Sequence, residues 1–347
     1  MKNTDSLVEI QVHVEPGARG LRADIYLARH LGRISRSRIL AMFKAERVFL
    51  EERPIRASHR LRGGEILVLH KPAPLEKSLP PVEVMYQDTD LVVVNKPGDL
   101  TVHPTANAVH RTLTAFLKTL DAGPYTPAHR LDRETSGIVA CARTGAPSSN
   151  LKEQFASRHT QKIYLAIVRG VLRERLEVAM PLGFDTASPI RIKMTVTGDG
   201  APAHSSFVPL LAGDNATLVL AIPHTGRQHQ LRAHLEWAGF PLAGDKIYGV
   251  PPEYFLRFIK EGWTAQMAQI IFERHMLHAA FLSIHHPVTG ERMTFLARPP
   301  DDFIRACQQL GIQIPDKNAL DAWLADACRQ LETAERGKTV FQKIQAD

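Results

Sequence analysis

The run His129-Arg130-Leu131-Asp132-Arg133-Glu134-Thr135-Ser136-Gly137, followed at once by the apolar Ile138-Val139-Ala140, is the densest polar cluster in the sequence. A carboxylate set between two arginines, on a loop that feeds a buried strand, is held ionised and aimed at the cleft in front of that strand. A structural knot of salt bridges is the competing reading of the same residues. Asp132 and Glu134 also raise glycoside hydrolysis. That chemistry needs opposed carboxyls several ångströms apart across a sugar, which one short loop does not obviously supply.

Around this loop, strand patterns recur at Leu91–Val94, Ile138–Cys141, Ile163–Val168, Thr217–Ile222, Phe281–His285 and Met293–Leu296. Helical patterns lie near 113–120, 150–157 and 228–238. Strands of mixed spacing with few helices predict an α+β fold around a mixed, largely antiparallel sheet. In Gln161-Lys162-Ile163-Tyr164-Leu165-Ala166-Ile167-Val168, alternation places Ile163, Leu165 and Ile167 on one face and Tyr164 on the other. Tyr164 then either lines a cleft or packs as an ordinary strand tyrosine.

A second polar block is Pro223-His224-Thr225-Gly226-Arg227-Gln228-His229-Gln230-Leu231-Arg232-Ala233-His234. Its histidines recur every five residues, so on a helix they rotate away from one another and cannot share a face. No cysteine or second carboxylate set completes a site, and no metal is expected. Thr225-Gly226 reads as a strand-to-helix turn that projects Arg227 in front of the sheet, or as a surface turn with one exposed arginine.

The chain has 347 residues and a formal charge of +7, of which +6 falls within residues 1–72. A compact basic module beside a nearly neutral body points to a polyanion-binding arm. In that module, helical spacing around Leu21–Leu31 precedes a second helix over 36–45, with Ser35 as N-cap. Strand-like runs follow at Val48–Leu50 and Ile66–Leu69. Arg36, Arg38, Lys44 and Arg47 are the phosphate-clamp candidates, against the reading of a merely solvated face. A proline-rich linker at 73–81 separates this module from a catalytic body over 82–300. Beyond Pro300, residues Leu320, Trp323, Leu324, Ala327 and Leu331 form an amphipathic stripe within a 301–347 helical extension, which is expected to dock on the protein's own body. Three cysteines exclude a disulfide framework. No secretory pattern or membrane span is visible, so a cytoplasmic protein is expected.

Taken together, these blocks resemble the RluA-type RNA pseudouridine synthases. The 129–137 run is similar to the family's signature loop, and Asn95-Lys96-Pro97 with His103-Pro104 to its first motif. Lys162-Ile163-Tyr164 is similar to its tyrosine strand, and 225–234 to its arginine motif. Gly244-Asp245-Lys246-Ile247-Tyr248-Gly249 and Leu277-His278-Ala279 are similar to its later blocks. Residues 1–72 resemble the small S-four-like RNA-binding domain of the RluC and RluD branches.

The resemblance implies isomerisation of uridine to pseudouridine in structured RNA without a cofactor. Asp132 would be the catalyst, Arg227 the cation beside it, and Tyr164 the ring stacked on uracil that assists proton removal at C5. Leu277 would wall the base pocket, and Arg130 would fill the gap left by a flipped uridine. His129 and Arg133 are further substrate-binding candidates. The branch implies large-subunit ribosomal RNA as substrate and a monomeric enzyme, with transfer RNA as the alternative. A different class of reading is an RNA-binding or ribosome-assembly factor in which binding dominates. The sequence departs from the family at Glu51-Glu52-Arg53, where Asn-Gly is usual, and at Asp99 in the first motif. The 249–276 segment is longer than expected.

Overall fold

The computed structural model describes residues 7–31, 36–72, 78–105, 110–121, 123–262, 272–316 and 319–329. The chain divides into two compact units, one over residues 1–78 and one over 79–104 and 110–347. Ser35, most of the 73–81 linker, residues 263–271 of the long 249–276 segment and Leu331 lie outside the described residues.

The first unit runs β1 (Leu7–His13), α1 (Ala23–His30), α2 (Arg36–Lys44), β2 (Val48–Leu50), β3 (Arg53–Pro54) and β4 (Ile66–Pro72). Its four strands form one antiparallel sheet in the order β1-β4-β2-β3. Tyr26 and Leu27 of α1 and Ile39 and Phe43 of α2 pack on Val12, Val48, Leu67 and Leu69 of the sheet. The departure at Glu51-Glu52 has a physical consequence here. These two residues turn β2 into β3, and both adopt left-handed backbone, at φ of 48° and 65°. A two-residue hairpin turn whose central residues both have positive φ favours Asn-Gly, and a side chain with a Cβ is strained in that region.

The second unit opens with β5 (Glu83–Gln87), β6 (Leu91–Lys96), α3 (Leu113–Leu117), β7 (Tyr125–Pro127) and β8 (Ser136–Arg143). It continues through α4 (Ala146–Ala156), β9 (Gln161–Arg169), β10 (Leu176–Val178), β11 (Leu182–Phe184) and β12 (Met194–Val196). Then come β13 (Ser205–Ala212), β14 (Ala216–Pro223), α5 (Gln230–Trp237), α6 (Pro252–Glu261), β15 (Leu277–His285), β16 (Arg292–Leu296) and α7 (Asp301–Gln309). The main sheet has the order β10-β13-β14-β9-β15-β8-β6-β5, with β16 on β15 and β7 on β8. All its pairs are antiparallel except β15 with β8, so the fold is α+β on a mixed, largely antiparallel sheet.

Both faces of this sheet are covered, and alternation within single strands sorts residues between them. Ile163, Leu165 and Ile167 enter one core layer, while Ala166 and Val168 enter the opposite one, against which Tyr164 packs. The first layer is closed by the C-terminal segment: Phe303, Ala306 and Cys307 of α7, then Leu324 and Cys328 of a helix over 320–329. The amphipathic stripe thus docks on its own body. Helix α7 lies within the expected 301–347 helical extension, and its apolar positions are Phe303, Ile304, Ala306 and Cys307. The one parallel contact rests on Gly137, where φ is 114° and a Cβ would lie 2.2 Å from the Ala279 carbonyl. This close approach brings the end of the 129–137 loop against the start of β15. Among the described residues, no helix is long and apolar enough to cross a membrane.

Replacing Glu51-Glu52 by Asn-Gly relieves the strain in the β2–β3 turn. The double variant is expected to be more stable by about 1–2 kcal/mol in denaturant titration of the intact chain. Equal or lower stability would contradict the strained-turn account.

Candidate active site

The site lies in the second unit, where the 129–135 loop meets α5 and the 245–248 turn. Asp132 Oδ2 accepts a hydrogen bond from Arg232 Nη1 at 2.9 Å, and the Asp132 side chain keeps 22% of its surface open. Arg232 is itself buried and donates two parallel bonds to Asp245, Nε to Oδ2 at 2.7 Å and Nη2 to Oδ1 at 2.9 Å. Asp245 Oδ1 also accepts from the backbone N–H groups of Ile247 and Tyr248, at 2.8 and 3.1 Å. The Arg232 guanidinium further sits 4.9 Å from the centre of the Tyr248 ring.

Burial alone would push the Asp132 carboxyl up. The Arg232 charge, with smaller contributions from His229 and His275, outweighs it and leaves the carboxyl below its ordinary value. Asp132 is therefore a carboxylate at neutral pH, with part of its side chain still exposed. Tyr164 is half-buried, and burial together with the Asp132 charge raises its phenol above the ordinary tyrosine value. It stays protonated at neutral pH. Its ring packs against the layer that contains Leu231 and the buried Leu277. An ionised carboxylate thus lies near enough to a neutral phenol for its charge to be felt there, and the phenol ring packs on an apolar layer, a set able to add to or deprotonate a planar heterocycle.

His229, missed in the sequence, caps α5 in left-handed backbone at φ 53°. Its Nδ1 lies 3.0 Å from the Tyr248 hydroxyl, and that hydroxyl accepts from Met194 N, leaving its proton free for Nδ1. The imidazole proton then sits on Nε2, 3.8 Å from Asp132 Oδ2. Burial and the Arg232 charge lower this histidine to about 4, so it is neutral.

The loop is held from behind by Glu134, which the sequence raised only as a second carboxylate beside Asp132, and by Lys96. Glu134 turns inward and accepts from Lys246 Nζ at 2.7 Å and from His275 N at 3.1 Å. Buried Lys96 donates to the carbonyls of Pro97, Leu100 and Arg133, the last at 3.2 Å.

Other expectations are corrected. Arg227 does not face Asp132. It lies exposed on the turn, its Nε donating to the Pro202 carbonyl at 3.1 Å. The turn is closed by Gln230, whose Oε1 accepts from the Thr225 hydroxyl and from Arg227 N. Closing it this way leaves the Arg227 side chain outward and brings Arg232, in the first turn of α5, inward. His129 packs flat on Phe155, with ring centres 4.3 Å apart, and its Nε2 accepts from Ala140 N. It fastens the loop to α4 and β8. Arg133 is paired with Asp99, which also accepts from Arg111. The family departure at Asp99, in left-handed backbone at φ 60°, thus anchors the far side of the loop. Arg130 is exposed, and its charge contributes to lowering both His103 and His229. In the first unit, Arg36 pairs with the buried Asp24, Lys44 is exposed and Arg47 half-buried. The Arg38 side chain lies outside the described residues.

Arg232→Met would leave two carboxylates without their cation, an expected loss of about 3–5 kcal/mol at neutral pH. Both carboxyls are depressed in the folded protein. Their stabilisation is therefore present above the unfolded carboxylate range and is lost as pH falls through the folded values. The gap between wild type and variant in thermal unfolding should narrow with acidification. A pH-independent gap would contradict the assignment.

The description RNA pseudouridylate synthase belongs to the family model that matches residues 90–237, a span containing Asp132, Tyr164 and Arg232. The chain is 30% identical over 320 residues to the ribosomal large subunit pseudouridine synthase D of Haemophilus influenzae, covering 87% of this chain and 95% of that protein. It is 33% identical to the protein of the same name from Xanthomonas campestris, over 86% of this chain and 92% of the relative. Among solved structures, human RNA pseudouridylate synthase domain containing 1 superposes with a TM-score of 0.55 at 26% identity, covering 73% of this chain and 96% of that one. With this similarity running through nearly the whole length of its relatives, the chain belongs to the RluA-type RNA pseudouridine synthase family.

Proposed function

We propose that this enzyme isomerises uridine to pseudouridine in large-subunit ribosomal RNA, with Asp132 as the catalyst. The observation that carries the reading is a carboxylate kept ionised by Arg232 while still open to the cleft beside Tyr164. The ribosomal substrate is supported by the names of the bacterial relatives, and transfer RNA is the alternative.

The uridine must leave its stack to reach a carboxylate at the bottom of a cleft. The exposed Arg130 is suited to occupy the vacated place, Leu277 to pack against the base and Tyr164 to lie on its face. Asp132 then takes part in breaking the N1–C1′ bond. After the uracil turns, C5 joins C1′ and the C5 proton leaves. We read the Tyr164 hydroxyl as the relay for that proton. The sequence of bonds needs no redox or phosphoryl step, and the residues described supply the carboxylate, cation and proton relay for it. Arg232 and His229 position Asp132, and Arg227 is left for contacts at the rim.

In the N-terminal unit, we read Lys44 and Arg47 as phosphate contacts of an S-four-like RNA-binding domain, and the protein as a cytoplasmic monomer.

Release of tritium from 5-labelled uridine in ribosomal and transfer RNA transcripts tests the reading. Asp132→Asn is expected to reduce release to background. Tyr164→Phe keeps the ring and loses the hydroxyl, and should lower kcat by about 10²–10⁴-fold with KM little changed. No release by the wild type from either RNA, or full activity of Asp132→Asn, would contradict the proposal.

For the basic module, Lys44→Ala with Arg47→Ala should reduce the slope of log affinity against log salt by about 1 per residue. An unchanged slope would remove the phosphate contacts.

A further inference from the structure

Away from the cleft, the β10 edge of the main sheet gathers three side chains that the reaction does not use. Glu177 lies on β10 opposite Ser206 of β13. His204 precedes β13 and His224 follows β14, joined by a backbone bond from His224 N to His204 O at 3.0 Å. The two imidazoles stack with centres 4.2 Å apart and planes at 22°. His204 Nε2 lies 3.0 Å from Glu177 Oε2. The Ser206 hydroxyl lies 2.6 Å from both Glu177 Oε2 and His224 Nε2.

The proton positions follow from chemistry. An ionised carboxylate only accepts, so the Ser206 hydroxyl donates to Glu177 and must accept from His224. Both imidazoles therefore hold their proton on Nε2 and direct it into one small volume. Moving each proton to Nδ1 leaves both rings neutral and turns two nitrogen lone pairs and a carboxylate oxygen toward a common point.

We infer that Glu177, His204 and His224 form a binding site for a borderline divalent transition ion such as zinc or cobalt. One ligand atom from each residue lies within 4.8 Å of the other two. An ion with bonds of about 2.0–2.2 Å draws them together by small side-chain rotations, which the exposure of His204 and Glu177, 43% and 41%, permits. Two imidazoles and one carboxylate suit such an ion better than magnesium or calcium, which take oxygen. Three protein ligands leave a fourth position to water. The five-residue spacing of His224, His229 and His234 excluded a set on one helix, but the partners of His224 come from β10 and from the residue before β13, which no linear spacing reveals.

The ion would fasten the β10 edge to the turn after β14. That turn also carries Thr225, which accepts from His204 N, and Gln230, whose amide donates to the His204 carbonyl. The site would therefore brace the entry to α5 without touching the cleft.

The test uses the full chain, stripped with a chelator and titrated with Co²⁺ and with Zn²⁺. One equivalent should bind, Co²⁺ should give the visible absorption of a tetrahedral site, and the melting temperature should rise with metal concentration. His204→Gln and His224→Gln should each abolish the absorption, while His159→Gln, at a histidine outside the cluster, should leave it intact. If a cluster variant does not fold, the imidazole nitrogen resonances of the wild type decide: those of His204 and His224 should shift on Zn²⁺ addition. No stoichiometric binding, binding that survives both cluster variants, or ring shifts at other histidines only would overturn the inference.

Discussion

A single buried guanidinium fixes the charge and position of Asp132, the proposed catalyst. Arg232 cannot give up its charge, and its burial makes an unpaired state prohibitively costly. Asp245 takes two of its N–H groups in a forked pair and is fixed in turn by backbone donors. The remaining direction is filled by Asp132. A carboxylate that would otherwise be raised by burial is thereby kept ionised, in one rotamer, with part of its surface open. The arrangement meets two opposed needs, since a reactive carboxylate must be desolvated enough to react and still carry its charge.

Three residues flanking Asp132 reach in different directions and Lys96 grips the loop backbone, and this makes the loop rigid. His129 packs back on Phe155, Arg133 reaches outward to Asp99, Glu134 turns inward to Lys246 and His275, and Lys96 holds the Arg133 carbonyl. Each contact alone contributes modestly. Together they leave the backbone at Asp132 little freedom, and the close β15–β8 approach at Gly137 fixes where the loop ends. The precision expected of a catalytic carboxylate comes from such supporting contacts as much as from the residue itself.

Much of this was readable in the chain. Alternation in 161–168 assigned Tyr164 to the face opposite Ile163, Leu165 and Ile167, because strand geometry leaves no other choice. The polar run at 129–137 announced a loop before a buried strand. The pairing of Asp132 was not readable, because Arg227 and Arg232 stand five residues apart in one motif and only the closure of the turn by Gln230 decides which faces inward. His129 and Arg133 looked like substrate contacts because a polar loop gives no sign of which side chains are turned away from the cleft. Strands β10 to β13 escaped notice because three of the four are only three residues long and gain stability by pairing, not through their own pattern. Asp245 likewise gives no local sign that its partner lies on α5.

The most direct measurement is a ¹³C NMR titration of the Asp132 carboxyl in the folded protein, assigned by comparison with Asp132→Asn. The account predicts a midpoint below the ordinary aspartate value of about 3.9. It also predicts a shift upward in Arg232→Lys, where the fork geometry is lost. A carboxyl that titrates at or above the ordinary value in the wild type, or that is indifferent to residue 232, would contradict it.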